Sequence, residues 1–283
     1  MKRLTAFLLV LIAAAGLLCG AAFAGSDDTT EGDAAERLPD EVLMTYFDNT
    51  VFAGDSQVAK FRNFVKKQWK EDPGYFSNVD FRAANSYKFR FAGYRTLKES
   101  ESAHLTDGGK KTTLFEIVKK VKPDRLFLLA GLNDAFTTDY TKDRSVTKAD
   151  EAGNQRAARY VRELTELVRE ASPGTEIYII SQMPVTRSFV QGTNKASKCR
   201  DRFDLVNETV QQECEALGIR YVDLATGLKD DEGYLPVRYC ADGLCHLNDA
   251  GYEIFAQELL DFVQAEYEAG RWVPAADPGT EEQ

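Results

Sequence analysis

A serine, an asparagine and a histidine stand just past three apolar segments of this 283-residue chain, and together they could form a nucleophilic acyl-transfer site. The run 50–53 ends in Gly54-Asp55-Ser56-Gln57. Ser56 then falls at a strand-to-helix turn, where the first N–H groups of a helix lack intrahelical partners and the serine's own N–H can help hold an oxyanion. A Gly-Asp-Ser triplet alone is common, and simple N-capping, which Ser and Asp favour, explains it too. A later run ends in Leu129-Ala130-Gly131-Leu132-Asn133-Asp134, where the Asn133 amide could donate to the same oxyanion; an ordinary turn or cap is the competing account. The last segment is Cys240-Ala241-Asp242-Gly243-Leu244-Cys245-His246-Leu247-Asn248. A histidine there can take the serine proton while a nearby carboxylate fixes its tautomer. The chain has only two histidines, and His104 sits in the polar stretch 99–109, which suits a solvated loop residue. So few histidines argue against a His-rich zinc site, and serine chemistry of this kind requires no metal and no cofactor.

Bringing three such segments together requires a frame whose strand ends converge. Apolar runs at 50–53, 79–84, 125–130, 176–181 and 220–224 are rich in Val, Ile, Phe and Leu, as buried parallel strands are. Segments at 58–69, 114–121, 157–171, 203–217 and 250–268 have helical period. Strand then helix, repeated, predicts an α/β fold with a mostly parallel sheet covered on both faces. In such sheets ligands bind beyond the carboxyl ends of the strands. Tyr87, Phe89 and Phe91 alternate with Lys88 and Arg90, which predicts a strand or extended edge with one buried face; the sharper alternative is a stacking platform for a sugar ring. The loop 184–198, with Arg187, Lys195 and Lys198, could cover the site or could simply be solvated. Lys229-Asp230-Asp231-Glu232-Gly233 lacks EF-hand spacing and reads as a turn.

In this order and at these strand ends, the three segments resemble the GDSL/SGNH hydrolase family over about residues 51–263. The resemblance implies a three-layer α/β/α fold with a five-stranded, flavodoxin-like sheet, and a secreted serine esterase working through an acyl-enzyme. Carried onto this sequence, it implies Ser56 as nucleophile, His246 as base, and Asn133 as an oxyanion donor beside the Ser56 N–H. In that family a glycine after the second strand gives another oxyanion N–H. The matching stretch is Ala83-Ala84-Asn85-Ser86-Tyr87, with Asn85 at the glycine's place, and any residue but proline has a backbone donor. The family commonly has Asp three residues before His, whereas Asp242 stands four before His246. Asp249 follows the histidine and is better placed to cap the last helix. The implied partner is an ester substrate. An exported enzyme with an acidic surface suits short acyl groups, above all O-acetyl esters, on neutral dietary or cell-wall glycans. Arylesters or lysophospholipids, or a catalytically silent glycan-binding SGNH domain, are the alternatives.

With 43% hydrophobic and 28% charged residues, the chain suits one globular domain, expected over 41–270. Met1-Lys2-Arg3, the apolar run 6–18 and Ala22-Phe23-Ala24 predict a signal peptide over 1–24, cleaved after Ala24. Leu18 stands before Cys19 where a lipoprotein signal wants a small residue, which disfavours lipid anchoring. No later stretch approaches the ~20 apolar residues that span a bilayer, so no stable membrane insertion is expected after cleavage. Loss of Lys2 and Arg3 takes the formal charge from -10 to -12, a surface that repels nucleic acid and anionic lipid. Residues 25–40 read as an acidic disordered spacer and 271–283 as a disordered tail. Outside the cytoplasm the four cysteines of the mature chain can pair. Cys199 and Cys214 flank a predicted helix and would lie ~22 Å apart at ~1.5 Å per residue, beyond disulfide reach. Cys240–Cys245 is the preferred bridge, with Cys199 bonded to either as the alternative.

Overall fold

The computed structural model describes residues 36–135, 146–190 and 195–275. In chain order the strands are β1 (Thr50–Gly54), β2 (Val79–Ala83), β3 (Leu105–Asp107), β4 (Lys110–Thr112), β5 (Arg125–Leu129), β6 (Glu176–Ile180) and β7 (Arg220–Val222). The α-helices are α1 (Asp40–Met44), α2 (Ser56–Gln68), α3 (Phe89–Ala92), α4 (Leu114–Val121), α5 (Leu132–Ala135), α6 (Val146–Ala171), α7 (Ala196–Leu217) and α8 (Asp249–Glu268). β1, β2, β5, β6 and β7 form one five-stranded sheet in the order β2-β1-β5-β6-β7, parallel throughout. β3 and β4 form a small antiparallel hairpin.

Side chains alternate across a strand, and that alternation builds the layers. Val51 and Ala53 join the core formed by α4, α6 and α7 through Ile117, Leu164 and Val206. Phe52 joins the opposite core, formed by α1, α2 and α8 through Leu43, Phe61 and Phe255. Three α/β/α layers result. Phe52, Phe127 and Tyr178 stand in register on neighbouring strands and stack, with centroids 5.6 and 4.4 Å apart. Each such ring contributes roughly 1.5–3 kcal/mol by leaving water.

From β1 the chain passes to β2 on one side and later returns to β5 on the other. The end of β1 is therefore the switch point where a crevice opens. Gly54 makes that end possible: a Cβ there would lie 2.1 Å from the Leu129 carbonyl oxygen. Without one, β1 and β5 close together and the Asp55 N–H donates to Leu129 O at 3.2 Å.

Several expectations are corrected. Tyr87, Phe89 and Phe91 form no strand: Phe89 and Phe91 lie on α3, whose first N–H, that of Phe89, donates to Asp134 Oδ2 at 2.8 Å. All three rings are buried, at 2%, 1% and 4% exposure, so they offer no platform to a sugar. His104 leads into β3 and is half-buried rather than solvated. Arg37 and Leu38, within the expected spacer, dock on α8 through Asp261 (2.6 Å) and Gln264 (3.0 Å). In the expected tail, Trp272 packs edge-on against Tyr46 with centroids 5.3 Å apart. The expected signal peptide and the last eight residues lie outside the described residues. Cys199 and Cys214 lie on α7, and the preferred Cys240–Cys245 bridge is not formed. Residues 229–233 do form a turn, with Asp230 Oδ1 accepting from the Glu232 and Tyr234 N–H groups. Among the described residues no helix is long and apolar enough to cross a membrane.

Candidate active site

Ser56 is the first residue of α2, immediately past β1. Asp55 is the N-cap, and its Oδ1 accepts from the Gln57 N–H at 2.9 Å. Capping therefore falls to Asp55 rather than to Ser56. At the first helical position the Ser56 N–H has no intrahelical acceptor and is free to face a ligand.

The second part lies between β7 and α8. Cys240 bridges Leu247 in antiparallel fashion, and the Ala241 N–H donates to His246 O at 2.7 Å, so residues 240–247 form a tight loop. Inside it, Asp242 Oδ1 accepts from the N–H groups of Leu244 (2.9 Å), Cys245 (3.0 Å) and His246 (3.3 Å). Its Oδ2 lies 2.5 Å from His246 Nδ1, and His246 Nε2 lies 2.9 Å from Ser56 Oγ. The extra residue between acid and histidine is thus absorbed in the loop that wraps the carboxylate. Partial burial alone would raise the Asp242 carboxyl, but its bonds to His246 and the loop N–H groups outweigh that and hold it well below the usual carboxylate range. Asp249 is elsewhere: it begins α8 and pairs with Lys67 at 2.9 Å.

Asn133, on α5, faces the same cleft. Its Nδ2 donates to Asp55 Oδ2 and to Tyr87 O, each at 3.2 Å, the long end of the usual range. Asn85 lies exposed at the cleft in a turn closed by the Tyr87 N–H on Ala84 O (3.1 Å), and its N–H has no partner among the described residues. Ser86 beside it takes the left-handed conformation (φ 61), the backbone state that most often selects glycine.

Sequence reasoning missed the groups that set the spacing between helix and loop. Buried Gln57 donates from Nε2 to Cys245 O at 2.7 Å, joining the neighbour of the serine to the neighbour of the histidine. Tyr252 of α8 donates its O–H to Gln57 O (2.9 Å) and Oε1 (3.0 Å). The adjacency of Gln57 to Ser56 was the only available signal. Burial, with the charge of Asp134 adding to it, pushes the Asp55 carboxyl up to about 7. Asp134 is pushed up to about 6, again by burial.

The cleft around these groups has a volume of about 480 Å³. Ser56, His246, Asn85, Asn133 and Lys60 line it together with Leu132, Phe189 and the exposed Val190 and Leu244. Of the loop 184–198, then, Phe189 and Val190 reach the site, while Arg187 is drawn off to Glu232 at 2.5 Å. A serine bonded to an imidazole that is itself held by a carboxylate, beside free N–H donors, can carry out nucleophilic acyl transfer.

The profile of the GDSL-like Lipase/Acylhydrolase family matches residues 52–254, and the chain belongs to that family. It is by that membership a carboxylic ester hydrolase. A GDSL-like lipase from Bacteroides thetaiotaomicron VPI-5482 shares the fold at 14% identity, with 76% of this chain and 87% of that one covered and a TM-score of 0.51. An acetylxylan esterase from Geobacillus stearothermophilus does so at 16% identity, with 76% and 93% covered and a TM-score of 0.51. A search of curated protein sequences finds no match.

Proposed function

We propose that this protein is an exported serine esterase that removes short acyl groups, O-acetyl above all, from neutral glycans. The observation that carries the proposal is the Ser56–His246–Asp242 relay, with its 2.9 and 2.5 Å links. Ser56 Oγ attacks the ester carbonyl as its proton passes to His246 Nε2, and Asp242 steadies the imidazolium. The developing oxyanion is met by the N–H groups of Ser56 and Asn85 and by the Asn133 amide, which gives up one of its long bonds to do so. His246 then returns the proton to the leaving alcohol, and water drawn through the same base hydrolyses the acyl-enzyme. The basic head, apolar run and Ala22-Phe23-Ala24 site support export. The net acidity and the hydroxyl and amide groups lining the cleft support a neutral, hydroxyl-rich substrate, as does the fold shared with an acetylxylan esterase.

Val190 and Leu244, 63% and 41% exposed at the rim, favour a second reading in which the acyl or alcohol part is an arylester or lysophospholipid. One assay separates them: chromogenic esters from acetyl upward, run beside acetylated glycans. The first reading expects turnover to fall beyond short acyl groups and acetate to be released from glycan. A gain near ~0.8 kcal/mol for each added methylene would favour the second. Ser56→Ala within a few-fold of wild type would refute both.

A further inference from the structure

The loop that holds the histidine also holds a set of metal ligands. Cys245 Sγ lies 4.0 Å from His246 Nδ1, on the side of the ring facing Asp242, and the ligand atoms of Asp242, Cys245 and His246 all fall within 4.8 Å of one another. Zinc binds thiolate at ~2.3 Å and imidazole at ~2.0 Å in a tetrahedron. That places S and N about 3.5 Å apart and N and O a little over 3 Å apart, by the same bond lengths. The widest separation, up to 4.8 Å, must close to about 3.5 Å, a change that thiol and carboxylate can share because the carboxylate can pivot about Oδ1, which the loop N–H groups hold. Cys240 donates its S–H to that same Oδ1 at 3.3 Å, an outer contact of the kind that orients a ligating carboxylate. Thiolate, imidazole and carboxylate together suit zinc rather than magnesium or calcium. Side-chain exposures of 24% for His246 and 33% for Asp242 leave two of the three ligands open to solvent, while Cys245 is buried.

We propose that Asp242, Cys245 and His246 bind a zinc-class divalent ion that switches the enzyme off. The ion takes the Nδ1 lone pair. A neutral imidazole coordinated at Nδ1 must carry its single proton on Nε2, so the nitrogen 2.9 Å from Ser56 Oγ becomes a donor and can no longer accept the serine proton. The protons balance: the Cys245 thiol releases one to solvent as sulfur binds the metal, while Nδ1 loses one and Nε2 gains one. Burial, with Asp242 nearby, pushes that thiol up to about 12, so the metal itself must drive the deprotonation, as coordinated metals do.

The inhibition rests on the esterase reading above, whereas the binding does not, and the test separates the two. Cobalt(II) alone is titrated into the reduced full chain. One equivalent should produce a near-ultraviolet thiolate-to-cobalt band, which zinc displaces and which both Cys245→Ala and Cys245→Ser lose. Cys199 and Cys214 are fully buried and cannot supply it. In parallel, one equivalent of zinc should abolish ester turnover, a chelator should restore it, and Cys245→Ala should need at least ~10-fold more zinc, the lower end of the loss expected on weakening a metal site. No thiolate band in the wild type, or a band that survives in both variants, overturns the proposal. A band that zinc displaces without loss of turnover shows binding at Cys245 but overturns the switch, whereas no ester turnover in the metal-free wild type would instead sink the esterase reading.

Discussion

Replacing Asp242 by Asn tests the relay most sharply, because the structure fixes which way the new amide must point. Asp242 Oδ1 accepts from the N–H groups of Leu244 and Cys245 at 2.9 and 3.0 Å. Only the carbonyl oxygen of an asparagine can take that place. Its NH₂ must then occupy the Oδ2 position, 2.5 Å from His246 Nδ1, where it can donate but not accept. The ring responds by making Nδ1 the acceptor and moving its proton to Nε2, the tautomer that cannot relieve Ser56 of its proton. Other triads lose about 10⁴ in kcat from this change, or about 5 kcal/mol of transition-state stabilisation. Asp242 is 33% exposed, so water can partly hold the correct tautomer, and about 10³–10⁴ is expected with KM little changed. Steady-state kinetics on an acetyl chromogen measures this. Asp249→Asn is the control: Asp249 and its partner Lys67 are both 59% exposed, and the loss should be under ~3-fold because surface pairs contribute little. A loss below tenfold for Asp242→Asn, or a large one for Asp249→Asn, would refute the reasoning.

Asn133→Ala should lower kcat by about 10²–10³, the usual cost of one oxyanion donor; a change in KM alone would make Asn133 a binding residue only. Gln57→Leu breaks the tie to the Cys245 carbonyl, so kcat should fall at least ~10-fold, as misplacement of about 1 Å commonly costs 10²-fold. Unchanged turnover would show that the loop holds its place without it. Asp55 and Asp134 keep their protons in the folded chain up to about 7 and about 6, against an ordinary 3.8. Folding is therefore favoured below that ordinary value and loses stability as pH rises through the folded values, with Asp55 alone costing about 2–3 kcal/mol between about pH 5 and 8. Urea midpoints of the wild type and Asp55→Asn at both ends of that range check this, and a wild-type decline that persists undiminished in the variant would exclude Asp55 as its source.

The sheet was legible because its strands are short Val-, Ile- and Phe-rich runs, and the central ones, β1, β5 and β6, are buried almost throughout, which leaves no other role for such runs. That Ser56, Asn133 and His246 meet at one cleft was legible because each stands just past an apolar segment. Three adjacent aromatics misled: a period of two over five residues also fits a turn feeding a four-residue helix, and what decides is a long-range bond from Phe89 N to Asp134. The β3–β4 hairpin was missed although Gly108 and Gly109, both at positive φ, mark its turn. The course of Asp242 could not be read from spacing, since it depends on three backbone donors brought round by the loop. Gln57 and Tyr252 were invisible for a related reason: their partners lie 188 and 195 residues away.

Ser56 and His246 are 190 residues apart, and under the proposed mechanism this separation sets when, during synthesis, the chain can first become active. The helix α8 begins two residues after Leu247 and docks on α1 and α2, which the ribosome makes first. Tyr252, which braces Gln57, belongs to it. The tie from Gln57 to the histidine loop gains its brace only when this final helix has been released and has docked. At roughly 5–20 residues per second, Ser56 waits about ten seconds or more for His246. Through that interval Ser56 is only the first residue of a helix, so neither a growing chain nor one cut short before residue 240 has a means of attacking the esters around it.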